Sequence, residues 1–206
     1  SWIRLLKKVF ELNNVKILLN IISLSIDLET EESIILSGKE RIKLEKVTST
    51  YDLKSFIKGE FAVKNLVINT EKNNIKKFTK FARSFKDSAQ LLILDKVIKS
   101  GNIKISIKLN FNKNGKLIDD KFEITAQMNN LSIELFNKQK IEKIFGNLKY
   151  SKNKIEINNL SSDYQGIELN SQNISINRKN KNYIFKGDLD SKEGTLPMPI
   201  IKTLLK

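Results

Sequence analysis

Two runs of strict alternation, set on either side of an Asn-Gly pair, restrict what this chain can fold into more than any other feature. Ile103, Ile105, Ile107, Leu109 and Phe111 alternate with Asn102, Lys104, Ser106, Lys108 and Asn110. Beyond Asn114-Gly115, Phe122, Ile124, Ala126 and Met128 alternate with Lys121, Glu123, Thr125 and Gln127. A helix would spread these residues around its circumference, whereas a strand sends successive side chains to opposite faces. Asn-Gly accepts the positive φ of a hairpin turn. The pattern predicts two long antiparallel strands over 101–128, each with one oily and one wet face.

Similar pieces recur on both sides. Ile22, Leu24, Ile26 and Leu28 predict a strand that begins near Val15, and Ile34 to Leu36 returns it. Arg41 to Tyr51 reads as a third strand, irregular near Glu45-Lys46, and Glu60 to Asn69 as the next. After Met128 come Leu131, Ile133 and Leu135, then Gly146 to Tyr150, Lys154 to Leu160, Gly166 to Leu169, Asn173 to Asn177 and Tyr183 to Leu189. Turn signals recur at about the 8–12-residue spacing of a β-meander. Lys138 to Ile144 is ambiguous.

Helical material is smaller. Trp2, Leu5, Leu6, Val9 and Phe10 lie at helical spacing, either as an interfacial helix with a Trp anchor or as a helix packed on the sheet. Asp52 to Lys58 reads as one turn capped by Asp52 and stopped by Gly59. Asn73 or Asn74 opens a helical block with Ile75, Phe78, Ala82 and Phe85 on one stripe. Leu91, Leu94 and Ile98 continue the stripe after a break near Asp87-Ser88, and Gly101 ends it. Pro197 to Leu205 reads as a final helix. The expected fold is therefore mainly β with some α. A long antiparallel meander curls into an open groove or half-barrel, with a helical block at about 73–99 and short terminal helices. The segments expected are 1–69 (helix and first strands), 70–100 (helical block), 101–190 (long meander) and 191–206 (helix). The chain opens on Ser1, and the expectation is one segment of a longer protein.

Composition narrows the chemistry. The chain contains no Cys and no His, which removes thiolate nucleophiles, disulfides, His triads and the usual zinc sites. Glu29, Glu31 and Glu32, and Asp119 with Asp120, sit in or beside expected turns, where acids are solvated. No GxGxxG or GxxxxGK[ST] occurs, so nothing points to a phosphate cradle. We expect no catalytic residues, no metal and no cofactor. The formal net charge is +14. Residues 1–100 carry 19 basic and 12 acidic side chains and residues 101–206 carry 18 and 11, so each half is +7. A nucleic-acid binder more often gathers its charge on one helix or face, so that function ranks last. The longest oily stretch, Val15 to Ile26, is interrupted by Lys16, Asn20, Ser23 and Ser25 and falls short of a membrane span.

The oily face poses the functional question. Nine or ten strands at about 4.8 Å each span on the order of 45 Å. One helical block about 10 Å thick is too narrow to lid that width. The sheet must curl on itself, pair with another chain or hold an apolar ligand. Candidate lining residues are Ile103, Ile105, Ile107, Leu109, Phe111, Phe122, Ile124, Ala126, Met128, Ile155, Ile157, Ile174, Ile176 and Phe185.

Residues 42–78 carry a resemblance. Ile42-Lys43-Leu44-Glu45-Lys46-Val47 is followed by Tyr51-Asp52-Leu53-Lys54-Ser55-Phe56-Ile57-Lys58-Gly59 and by Phe61-Ala62-Val63-Lys64-Asn65-Leu66-Val67-Ile68. This strand, lysine-glycine turn and return strand resembles the AsmA-like family of bridge-type lipid-transfer proteins. Gly166-Ile167-Glu168-Leu169 and Tyr183-Ile184-Phe185-Lys186-Gly187 resemble the family's later meander. The resemblance implies a periplasmic protein of a Gram-negative-type bacterial envelope, held in the inner membrane by an anchor outside this segment. It also implies a non-enzymatic role, carrying phospholipid or other acyl chains along an apolar groove in lipid transport or outer-membrane assembly. The alternative expectation is a structural or protein-interaction domain whose apolar face is closed or used for oligomerisation.

Overall fold

Alternation becomes a ladder in the computed structural model, which describes residues 10–37, 40–85, 89–118, 121–135, 138–179 and 182–191. The strands before the helical block are Phe10–Glu11 (β1), Lys16–Asn20 (β2), Ser25–Glu31 (β3), Ile34–Ser37 (β4), Glu40–Asp52 (β5), Val63–Thr70 (β6) and Asn73–Asn74 (β7). Those after it are Ile98–Asn110 (β8), Glu123–Glu134 (β9), Lys140–Ser151 (β10), Lys154–Tyr164 (β11), Ile167–Lys179 (β12), Asn182–Gly187 (β13) and Asp190–Ser191 (β14). Three helices interrupt them: Leu53–Ile57 (α1), Ile75–Phe85 (α2) and Ala89–Val97 (α3). The expected C-terminal helix and the N-terminal one up to Val9 lie outside the described residues; Phe10, placed on that helix by its spacing, is instead strand, paired with Ile35.

All the described strands join one antiparallel sheet, in the order β1-β4-β5-β6-β8-β9-β10-β11-β12-β13, with β3 beside β5 and β2 beyond β3. The sheet is open and curled, not closed into a barrel. β2 and β13 each pair with a single neighbour.

Several boundaries depart from the sequence reading. Ile21 to Leu24 form a turn between β2 and β3, not strand, and Ile22 stands 99% exposed. Its alternation with Leu24 is coincidental. The helical block is two helices that stop at Val97, and Ile98 to Gly101 are already strand. Gly101 is thus a strand residue and not a helix stop. Lys140 to Ser151, in part unassigned by pattern, is a full strand. Other local signals act as expected. Asp52 Oδ1 accepts from the Ser55 amide at 2.9 Å, capping α1, and Asn74 Oδ1 accepts from the Lys76 amide at 2.9 Å at the start of α2.

A seam of irregularities crosses the sheet. It passes through Glu32 (φ 53), the register shift at Leu44/Lys46, Gly101 (φ 119), Asn130 (φ 52), Lys143 (φ 48) and Asn159 (φ 51). The irregularity expected near Glu45-Lys46 belongs to it. Along β8, β9 and β10 each strand takes its own extra residue, so the register recovers beyond the seam. An extra residue flips the side-chain parity, because the strand period is two. Apolar residues flip with it: Ile103 and Ile105 before the seam give way to Ile98 beyond it, and Ala126 and Met128 give way to Leu131 and Ile133.

Both described cores that contact α2 gather at the seam. Ile75 joins Ile98, Ile103, Ala126, Leu131 and Ile144 in one buried cluster, and Ile35, Ile42 and Leu44 form a second. Phe78 touches both, so α2 closes the apolar face at this end of the sheet. Buried polar groups here are satisfied. Thr70 Oγ1 accepts from the Ile105 amide at 2.8 Å. Asn73 acts as a surrogate strand residue beside β5. Its Nδ2 donates to the carbonyls of Lys43 (2.9 Å) and Glu71 (2.8 Å), and its Oδ1 accepts from the Lys43 amide at 3.0 Å.

Candidate functional site: an apolar lane across the sheet

Strand register assembles the lane. Residues opposite one another in an antiparallel pair share a face. Following the pairs from β3 gives one unbroken row: Thr30, Val47, Ile68, Ile107, Ile124, Tyr150, Ile155, Ile176 and Phe185. The next row toward the helices runs Ile105, Ala126, Leu148, Ile157, Ile174 and Gly187. On the other side, Ile17, Leu28, Ser49, Leu66 and Leu109 form a third. The long row crosses nine strands, about 40 Å at the spacing of hydrogen-bonded strands.

Every strand residue among the lining candidates falls on this one face. Ile103, Ile105, Ile107 and Leu109 come from β8, Ile124, Ala126 and Met128 from β9, Ile155 and Ile157 from β11, Ile174 and Ile176 from β12, and Phe185 from β13. Phe111 and Phe122 lie just outside the strands, at the end away from α2. Phe122 packs its ring 5.5 Å from Tyr150, and Phe111 lies 5.8 Å from Phe61. Only Ile103 and Ala126, at the α2 end, are buried; Phe185 is 69% exposed and the other candidates are half-buried. Leu148, Tyr150, Val47, Leu66 and Ile68 belong to the same lane and were not singled out by sequence. Leu148 and Tyr150 alternate with Asn147 and Lys149 inside the strand expected over Gly146 to Tyr150, so the signal was present in the sequence.

The opposite face carries an unbroken polar row across the same strands. Glu31, Lys46, Asn69, Ser106, Thr125, Lys149, Glu156, Ser175 and Lys186 form its row by the same register. Ion pairs stitch it: Lys104 to Glu45 at 2.7 Å, Lys149 to Glu123 at 2.7 Å and Lys46 to Glu29 at 2.9 Å. A hollow of about 500 Å³ opens on this face, lined by Lys104, Ser106, Thr125, Gln127, Asn147 and Lys149 among others. A twisted sheet is saddle-shaped, so each face is hollow along one diagonal.

Acidic groups are engaged in structure. Glu29 and Glu31 are paired with Lys46 and Lys16. Asp119 and Asp120 lie outside the described residues. The Lys64 ammonium, then the Ser55 amide, hold the Asp52 carboxyl well below the usual carboxylate range. Asp95 of α3 is held down first by the Thr79 hydroxyl at 2.9 Å, then by Arg83 at 3.0 Å and by the nearby Lys76. Among the described residues no group of His, Cys, Asp or Glu is placed to hold a metal, and no helix is long and apolar enough to cross a membrane. What the lane itself supplies is apolar surface to bury, an interaction that is non-directional and scales with area. Comparison with family models, with curated proteins and with solved structures returned no match.

Proposed function

We propose that the apolar lane binds acyl chains and that the protein is a non-enzymatic lipid carrier or conduit of the bacterial cell envelope. The observation that carries this reading is the row from Ile107 to Phe185, apolar at six consecutive strands, outside both described clusters that α2 packs against, and backed by a polar row on the reverse face. Area burial at about 25 cal/mol per Å² holds a hydrocarbon tail without fixing its position, so a tail slides from strand to strand. The resemblance to the AsmA-like family, and with it periplasmic placement and an anchor outside this segment, belongs to the same proposal. The test is binding of a fluorescent fatty acid. Ile174→Asn with Ile176→Asn removes two lane contacts on β12 and is expected to weaken binding about tenfold. Ser175→Asn, between them on the polar face, is expected to leave it unchanged. Equal effects from both, or none from either, contradict the reading.

A second reading has its own observation. Among the described strands β2 and β13 are the open margins, with exposed apolar side chains, Ile17, Leu18 and Leu19 on one and Ile184 and Phe185 on the other. Unpaired edges of this kind join other chains. Light scattering on the purified chain separates the readings: a lipid-free oligomer favours assembly, and a lipid-bearing monomer favours the lane.

A further inference from the structure

Antiparallel connections alternate between the two ends of a sheet. Those at 21–24, 53–62, 111–122 and 152–153 therefore emerge together, at the end opposite α2 and α3. Three of them touch. The Leu53 amide donates to the Leu24 carbonyl at 2.9 Å, the rings of Phe61 and Phe111 are 5.8 Å apart, and a Cβ on Gly115 would stand 3.0 Å from the Phe61 ring. The β2–β3 turn and α1 aim large apolar side chains into solvent: Ile21 and Ile57 are 75% exposed and Phe56 60%. Ile22 is more exposed still.

The same connections carry Lys54, Lys58, Lys113, Lys116, Lys121 and Lys152. None of the six is paired with a described acid; the described ion pairs of this end use Lys64, Lys108, Lys149 and Lys154. Glu60 is the acid among the described residues of these connections, while Asp119 and Asp120 lie outside them. Exposed apolar tips and lysines on the same connections are the two halves of an interfacial anchor: apolar groups enter the acyl boundary and ammonium groups meet anionic headgroups. A nucleic-acid backbone satisfies the lysines and leaves the isoleucines and Phe56 in water.

We propose that this tip docks on an anionic lipid bilayer, with Ile21, Ile22, Phe56 and Ile57 inserted and the lysines at the headgroups. Docking holds whether or not the lane carries acyl chains, and the two fail separately.

Flotation of the whole chain with vesicles tests it. Vesicles of phosphatidylcholine with phosphatidylglycerol are expected to bind the chain more tightly than phosphatidylcholine alone, and more weakly as salt rises. Ile21→Ser with Ile22→Ser, and separately Phe56→Ser with Ile57→Ser, are each expected to lower partitioning about tenfold. Circular dichroism and elution volume, unchanged, show that the fold is kept. Lys113→Gln with Lys116→Gln is expected to lower binding to the anionic vesicles severalfold, about as far as two headgroup contacts allow, and to spare the neutral ones. The lane variant Ile174→Asn with Ile176→Asn is expected to float like the parent. Absence of vesicle binding at low salt overturns the proposal. So does parental binding by both tip variants, loss of binding in the lane variant alone, or capture of duplex DNA under conditions that leave vesicles unbound.

Discussion

Gly101 sits where a side chain has no room. Its φ is +119, and a Cβ there would lie 2.6 Å from Leu131 Cα and 2.7 Å from the Asn130 carbonyl oxygen. Backbone cannot yield as a flexible side chain does, so Gly101→Ala is expected to cost about 3 kcal/mol, read as a lower urea midpoint. Asn73 makes a sharper comparison with its neighbour. Asn73→Ala strands the Lys43 amide, while the Lys43 carbonyl keeps the Glu71 amide at 3.1 Å, and is expected to cost about 2 kcal/mol. Asn74→Ala removes a helix cap in water and is expected to cost about 1 kcal/mol. If the order were reversed, Asn73 would not be completing the β5 edge.

At the scale of elements, α2 and α3 are fastened to each other through Asp95. Thr79 Oγ1 donates to Asp95 Oδ1, Arg83 to Asp95 Oδ2, and Lys76 Nζ reaches the Asp95 carbonyl at 3.4 Å. These contacts lower the carboxyl pKa in the folded chain. The stability they contribute is complete above the ordinary Asp value of about 3.9 and is lost as pH falls through the lowered folded value. Acid titration followed by helical circular dichroism is expected to show this loss in the parent and not in Asp95→Asn, which is already weakened at neutral pH. The same elements explain what the sequence disclosed. Alternation held from Ile103 to Leu109 and from Ile124 to Met128 because no extra residue interrupts those stretches. It failed at Leu131 and Ile144, where the seam flips parity, and at Ile98, whose place on the α3 stripe hid its strand conformation. Pattern located the seam at Glu45-Lys46 and missed it at Asn130, Lys143 and Asn159, which are also ordinary surface residues.

The whole molecule sorts what the linear chain mixes. Each half carries +7, yet the meander sends alternate connections to opposite ends, and one end gathers apolar tips and lysines paired with no described acid, which no count by halves reveals. The sheet likewise converts short alternating runs into a lane about 40 Å wide that α2 covers at one end only. The most direct measurement is the lipid content of the purified chain. Organic extraction and mass spectrometry, with protein quantified in the same sample, give lipid per chain. The lane predicts bound acyl-chain lipid at one or more molecules per monomer, displaced in Ile174→Asn with Ile176→Asn. A monomer that is lipid-free and fails to take up added phospholipid would contradict it.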